Sequence, residues 1–221
     1  GRLLKAVDDL GLRENTIIVF SSDHGPAPVV LANEKNKAPD RIEFARNMLG
    51  TPGPFRGGKH TQWEGGVRVP FIIRWPGKVP ADQVNTTSVI SFMDWLPTLC
   101  KLTGTKNTAV DLDGEDVSDI WLGAKRTRTT PLFWRNSSPG GQVSLRTGDW
   151  KFHLRRKQAG GPLLYNLAKD PAESRNLVDE QPKLVHRLQR QATEWADTLP
   201  KAYDKVEKPK KKDRPKRPRR D

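Results

Sequence analysis

The chain has 221 residues, of which 34% are hydrophobic, together with 18 glycines, 18 prolines and a formal net charge of +13. This length allows one sizeable domain or two small ones, and the composition predicts a modest core with many loops. The single cysteine excludes an intrachain disulfide, and no apolar run approaches the ~18 residues that a membrane-spanning helix requires.

The positive charge is concentrated at the C-terminal end, where residues 208–221 (KPKKKDRPKRPRRD) contribute +7. A strong positive charge is typical of proteins that bind nucleic acid or another polyanion. No aromatic residue follows Tyr203, so the tail lacks stacking platforms for single-stranded nucleic acid, and we expect no specific nucleic-acid partner. We therefore predict a disordered basic tail at 201–221, either solvated or binding a polyanion.

The N-terminal elements predict an α/β unit. Residues 2–12 have the periodicity of an amphipathic helix, with four leucine or valine residues on one face: Leu3, Leu4, Val7 and Leu10. Residues 17–20 form a continuous apolar run, which suits a strand covered on both faces, as in a parallel sheet. Helix followed by buried strand is half of an α/β unit.

The middle of the chain contains fewer regular elements. We expect a short helix at 41–48, a strand within 67–75, and an amphipathic helix within 89–102 with Asp94 near its start. Residues 111–123 are expected to form a loop with one short helical turn.

The pattern changes in the C-terminal part to short alternating segments separated by glycine- and proline-rich turns. They predict four strands, at 132–134, 143–146, 150–154 and 163–166. A hairpin turn is predicted at 147–149 and a helix at 182–199. A short antiparallel sheet with one helix is an α+β arrangement.

Two potential metal ligands, Asp23 and His24, follow the strand at 17–20. In open α/β sheets, ligands bind beyond the carboxyl ends of the strands. A carboxylate oxygen and a neutral imidazole nitrogen both suit a divalent metal. The alternative is that Asp23 only caps a turn.

A glycine-rich loop, GGKHTQWEGG, carries Lys59 and His60. Glycines allow close backbone approach to a ligand, with N–H groups directed inward, and a lysine there can neutralise a sulfate or phosphate oxygen. His60 is a second candidate for contact with the substrate. The alternative is that both are solvated side chains on a surface loop.

The string RGGKxxxWEGGxRVPFIxRWPG, as it stands here from Arg56, resembles the signature of the sulfatase family. FSSDHG is similar to that family's second metal-ligand element, and SFMDWLPTLCKLTG to the helix that closes its catalytic domain. SLRTGDWKF and LYNLAKDPAESRNL resemble its C-terminal subdomain. The resemblance extends over residues 1–200, the C-terminal portion of such an enzyme.

The resemblance implies the C-terminal part of an alkaline-phosphatase-like α/β sandwich domain plus a small α+β subdomain. The predicted divisions are 1–104 for the catalytic α/β part, 105–200 for the α+β subdomain, and 201–221 for the tail. It also implies hydrolysis of a sulfate ester, in a sulfated small molecule or polysaccharide, and a periplasmic or secreted location.

Carried over residue by residue, the resemblance makes Asp23 and His24 metal ligands and Lys59 a contact to the substrate's sulfate group. Ca²⁺ is the expected ion. Many family members have Asp-Asn at this point, and the softer histidine leaves Mn²⁺ or Zn²⁺ open. Arg56, Glu64 and Arg68 are expected to support the loop.

The nucleophile implied by the family, a formylglycine made from Cys or Ser in a C/S-x-P/A-x-R motif, is expected upstream of this chain. Cys100 is followed by Lys-Leu-Thr-Gly, and Ser137 and Ser138 lack the arginine. We therefore expect the isolated chain to be inactive and to bind metal weakly. A phosphodiesterase or phosphonate hydrolase of the same superfamily, and a non-catalytic remnant that binds polyanions through its tail, are the alternatives.

Overall fold

The computed structural model describes residues 1–27, 50–108, 111–136, 142–154 and 160–199. These ranges contain five α-helices and two antiparallel sheets, one of two strands and one of four. No helix within them is both long and apolar enough to cross a membrane. The predictions for 41–48, for Ser137 and Ser138, and for the tail lie outside the described residues.

The first sheet joins two short strands, β1 (Ile18–Ser21) and β2 (Phe71–Arg74), after helix α1 (Arg2–Asp9). They pair in antiparallel register, with Val19 opposite Ile73. This differs from the parallel, doubly covered strand suggested by the apolar run. One face packs on a core, whereas Phe20 and Ile72 on the other face are each 61% exposed. No described element covers that outer face.

The core beneath this sheet is built around Val117, Ile120 and Trp121. The last two belong to the short helix α4 (Ser118–Trp121), and helix α3 (Trp95–Thr103) packs beside it. Helix α3 begins immediately after Asp94, as the sequence predicted. It ends at Thr103 and is capped by Gly104, whose φ of 71° favours glycine.

Asp94 fixes this helix start from a fully buried position. Its carboxylate accepts the backbone N–H of Ser91 at 2.7 Å and of Glu115 at 3.0 Å. Arg128 donates to both carboxylate oxygens, at 2.5 and 2.9 Å. The charge is therefore paired and hydrogen-bonded, as burial requires.

The second sheet confirms the four predicted strands. They follow one another in antiparallel order: β3 (Leu132–Arg135), β4 (Val143–Thr147), β5 (Trp150–Leu154) and β6 (Leu163–Asn166). Thr147 pairs with Trp150, so Gly148 and Asp149 form the predicted hairpin turn. The long helix α5 (Pro182–Thr198) buries Leu188 and Ala192 against this sheet, as its periodicity predicted.

The two faces of the second sheet are chemically different. The face toward α5 is apolar, with Leu145, Phe152 and Leu164 all fully buried. The opposite face carries Lys151 and His153, which are equally inaccessible to solvent. Alternation along β5 places these residues on the face away from the helix. What covers them is the glycine-rich loop.

Candidate active site

Asp23 and His24 lie in a turn directly after β1. The hydroxyl of Ser22 donates to the backbone oxygen of His24 at 2.8 Å and shapes this turn. The Asp23 side chain is 82% exposed and that of His24 is 37% exposed. Asp23 also lines an open cleft together with Phe92 and Trp95. Both candidate ligands are therefore accessible to an ion.

The His24 ring has a defined orientation. Its Nδ1 lies 2.7 Å from the backbone oxygen of Gly25, and a carbonyl only accepts, so Nδ1 carries a hydrogen. Its Nε2 lies 3.1 Å from Oδ2 of Asp23. In the neutral ring, the lone pair of Nε2 therefore faces the Asp23 carboxylate. A cation that contacts both Nε2 and Oδ2 stabilises this arrangement.

This donor set fits a divalent cation. A histidine ligand that donates its other ring N–H to a backbone carbonyl is the usual arrangement around protein metals. The described parts of the chain contain no group of three or more His, Cys, Asp or Glu that could hold a metal by themselves. Two ligands make a weak site, so further ligands are required for tight binding.

The glycine-rich loop is closed on itself. The N–H of Gly65 donates to the backbone oxygen of Arg56 at 2.7 Å, which closes residues 56–65. Within it, the N–H of Thr61 donates to the oxygen of Gly58 at 3.0 Å. Lys59 and His60 occupy the tip of this inner turn. His60 is exposed and has a φ of 70°, an uncommon conformation for a residue with a side chain.

Two backbone hydrogen bonds bring this loop to the turn after β1. The N–H of Lys59 donates to the oxygen of Pro26 at 2.8 Å, and the N–H of Gly25 donates to the oxygen of Gly66 at 2.9 Å. The structure thus places the Lys59 backbone beside the segment that carries Asp23 and His24.

The Lys59 side chain is half-buried and forms no hydrogen bond or ion pair with another residue of the described ranges. As far as the described residues show, the Lys59 ammonium is therefore available to an anion.

The glycines of the loop permit close contact between backbone segments. Gly65 of the loop faces Gly25 of the turn after β1 so closely that a Cβ on Gly25 would overlap the backbone oxygen of Gly65. The N–H groups of Gly58, Gly65 and Gly66 all donate to acceptors within the loop. The expectation that glycine N–H groups face a ligand is therefore not met at these three positions.

A buried ionic cluster joins the loop to the second sheet. Glu64, at the start of the short helix α2 (Glu64–Val67), accepts from Nζ of Lys151 at 2.7 Å. The same Nζ lies 3.6 Å from Glu173, and Arg146 lies 3.4 Å from Glu64. Glu64, Lys151 and Glu173 are at most 1% exposed. The predicted supporting role of Glu64 thus takes the form of a buried charge network.

Sequence reasoning missed Glu173. Its carboxylate accepts the backbone N–H of Glu64 at 2.6 Å, and its own backbone oxygen accepts from Arg56 at 3.1 Å. The Arg56 guanidinium also stacks on Trp63 at 3.9 Å, and His153 packs against the same ring at 4.3 Å. Arg56 supports the loop, as predicted, and the partly buried Trp63 lies in contact with both Arg56 and His153.

His153 is buried within the same cluster. Its Nε2 lies 3.2 Å from Oε1 of Glu173 and donates to that carboxylate, so Nδ1 is an acceptor in the neutral ring. Nδ1 lies 2.7 Å from the side-chain nitrogen of Gln142 and 2.6 Å from the Ser144 hydroxyl, which donates to Oε1 of Gln62 at 2.6 Å. Burial lowers the pKa of His153 below its ordinary value of 6.5, although the bond to Glu173 opposes this shift.

The lowered pKa of His153 predicts a pH-dependent stability. Below about pH 6.5 the unfolded state binds a proton that the folded state resists, so stability is full above this pH and decreases as pH falls. We expect His153→Gln in the full-length protein to reduce the drop in Tm between about pH 7.5 and about pH 5.5. His186→Gln, at an exposed position, is the matched control. An equal drop in all three proteins would contradict this assignment.

Comparison with known proteins identifies the family. Residues 1–105 match the Sulfatase family model, and residues 57–198 match the model described as N-sulphoglucosamine sulphohydrolase, C-terminal. The second match alone covers more than half of the chain. The two matches overlap over residues 57–105, which include Lys59 and strand β2.

Individual relatives agree with this result. Human Arylsulfatase A is 33% identical over 201 residues, covering 80% of this chain and 36% of that protein. The N-acetylgalactosamine-6-O-sulfatase of Bacteroides thetaiotaomicron is 30% identical, covering 85% of this chain and 38% of that protein. A solved structure from work on glycosaminoglycan metabolism by the same species has a TM-score of 0.68 at 27% identity, covering 89% of this chain and 41% of its own. The chain belongs to the sulfatase family and corresponds to the C-terminal part of a sulfatase.

Proposed function

We propose that this chain is the C-terminal part of a metal-dependent sulfatase, which hydrolyses a sulfate ester to an alcohol and sulfate. The observation that carries the proposal is the backbone pairing of two segments. It sets Lys59, whose ammonium has no partner among the described residues, beside the turn with Asp23 and His24. A cation site next to this ammonium is suited to an ester with several anionic oxygens.

Lys59 has an electrostatic role in this proposal. As the ester bond breaks, charge develops on the sulfate oxygens, and a fixed ammonium stabilises that charge without a reorganisation cost. The short inner turn and the hydrogen bond to the backbone oxygen of Pro26 restrict the position of the Lys59 backbone. The proposal assigns His60, which is exposed at the same turn, to contact with a substrate group beyond the sulfate.

Oδ2 of Asp23 and Nε2 of His24 would hold the metal, which we expect to be Ca²⁺, with Mn²⁺ or Zn²⁺ as alternatives because one ligand is a nitrogen. When bound, the metal supplies Lewis-acid polarisation of the sulfate oxygens. The nucleophile, a formylglycine, and the remaining ligands would come from residues outside this chain. We therefore expect the isolated chain to lack activity.

One relative supports a proposal for the class of substrate. The Bacteroides protein named above acts on N-acetylgalactosamine-6-O-sulfate groups by its name, and it is 30% identical to this chain. A sulfated carbohydrate is therefore the proposed substrate class, and an exported location would suit polymers of this kind.

Metal removal tests the proposed ligands. In the full-length protein, treatment with a chelator should abolish aryl sulfate hydrolysis, and added Ca²⁺ should restore it. Asp23→Asn should raise the Ca²⁺ concentration needed for half-restoration by about tenfold or more, because even supporting residues of metal sites have effects of that size. Asp179→Asn, at an exposed position, should leave it unchanged. Full activity in chelator, or equal Ca²⁺ requirements in both variants, would contradict the assignment.

A further inference from the structure

Glu173 holds the Lys59 loop at both of its ends. Its carboxylate accepts the N–H of Glu64 at 2.6 Å, and its backbone oxygen accepts from the Arg56 side chain at 3.1 Å. Arg56 is the first residue of the closed loop 56–65, and Glu64 is the last but one. One residue of the C-terminal part thus fixes both ends of the segment whose tip is Lys59.

The backbone of Glu173 is itself in an unusual conformation. Its φ is 54°, in the left-handed region, and the residue is fully buried. A side-chain-bearing residue in that region costs free energy and persists only where the surroundings determine it. The conformation allows the carbonyl and the carboxylate of the same residue to serve the two ends of one loop.

The charge of Glu173 is balanced by groups from the second sheet. Nζ of Lys151 lies 3.6 Å and Nε2 of His153 lies 3.2 Å from Oε1, which leaves Oε2 for the Glu64 N–H. Lys151 also pairs with the Glu64 side chain at 2.7 Å. The loop and the sheet are therefore joined through groups that are inaccessible to water and that salt screens much less than exposed pairs.

We propose that Glu173 is a positioning residue for sulfate ester hydrolysis: it sets the place of the Lys59 ammonium by fixing both ends of the loop. This inference rests on the proposed function. Glu173 touches no reacting atom and acts only through Lys59. A displacement of about 1 Å in a group that binds the reacting centre can cost about a hundredfold in rate, so such a residue has a measurable effect.

A double-mutant cycle on the full-length protein tests this. kcat and KM for an aryl sulfate are measured for the wild type, Glu173→Gln, Lys59→Ala and the double variant. We expect Glu173→Gln to lower kcat/KM by about tenfold or more when Lys59 is present. In the Lys59→Ala background it should change kcat/KM less than about twofold, because its effect passes through that lysine.

Two further variants keep the cycle interpretable. Glu180→Gln removes an exposed carboxylate that pairs with Arg175 and should leave kcat/KM unchanged. If Glu173→Gln does not fold, as judged by thermal melting, the charge-balanced pair Glu173→Gln/Lys151→Met replaces it in the same cycle. Removal of one acid and one base leaves the net charge of the cluster unchanged, and Glu64 keeps Arg146 at 3.4 Å.

The outcomes separate the two proposals. An equal loss in both Lys59 backgrounds, or no loss in either, would overturn the positioning role and leave the proposed function intact. An unchanged kcat/KM in Lys59→Ala alone would overturn the role of Lys59 in the proposed function, and the positioning role with it.

Discussion

Replacement of Lys59 by alanine in the full-length protein is expected to lower kcat/KM for an aryl sulfate by about 100- to 1000-fold. This is the usual cost of removing one fixed group that stabilises charge in a transition state. Lys59 meets the requirements for such a group, because its backbone is tied to Pro26 and its ammonium has no partner among the described residues. Steady-state kinetics of the purified variant measure the effect.

The control for this variant is Lys78→Ala. Lys78 is exposed in the turn after β2, where its backbone N–H donates to the backbone oxygen of Trp75. Its removal should leave kcat/KM unchanged. Comparable values for wild type, Lys59→Ala and Lys78→Ala would show that Lys59 is only a surface residue.

Replacement of Lys151 by methionine is expected to lower the free energy of unfolding by about 3–5 kcal/mol. Methionine preserves most of the side-chain volume, so the loss comes from charge rather than packing. Without the ammonium, Glu64 loses its partner at 2.7 Å and Glu173 its partner at 3.6 Å, and neither carboxylate reaches water. Urea denaturation of the full-length variant measures the change.

Lys5→Met provides the matched comparison. Lys5 pairs with Asp9 at 2.7 Å, the same distance, but its side chain is 74% exposed. Exposed pairs contribute little, so the expected change is within about 0.5 kcal/mol. Adding Glu173→Gln to Lys151→Met should recover part of the lost stability, because one uncompensated charge is removed. Equal costs for Lys5→Met and Lys151→Met would contradict the assignment of a tightly packed charge network.

The secondary structure of the C-terminal part could be predicted because its signals are local. The four short strands alternate with turn residues, and α5 has leucine and alanine at helical spacing. The start of α3 at Asp94 was also predictable. The pairing of β1 was not, because a continuous apolar run does not determine which strand will lie beside it. The structure pairs it antiparallel with β2.

Some residues of the candidate site could likewise be predicted from the sequence, and others could not. Asp23, His24 and Lys59 could be singled out by residue type and motif, and the structure brings their two backbone segments together. Their assigned roles stay predictions. Glu173 lies within the motif LYNLAKDPAESRNL, but nothing in that motif singled it out, because its partners are determined only by the tertiary fold.

Lys151 illustrates why the network was missed. It alternates with Trp150 and Phe152 along β5, which predicts one apolar and one polar face, and polar faces are usually solvated. Its partner Glu64 lies 87 residues earlier in the chain. No local pattern indicates that a distant loop will cover this face.

The most direct test is the hydrolysis of an aryl sulfate and the matching aryl phosphate by the full-length protein in Ca²⁺, with the isolated chain assayed beside it. We expect the full-length protein to release sulfate with a kcat/KM well above that for the phosphate ester, and the isolated chain to release neither product. A full-length protein that cleaves the phosphate ester and leaves the sulfate ester intact would contradict the proposed sulfatase activity.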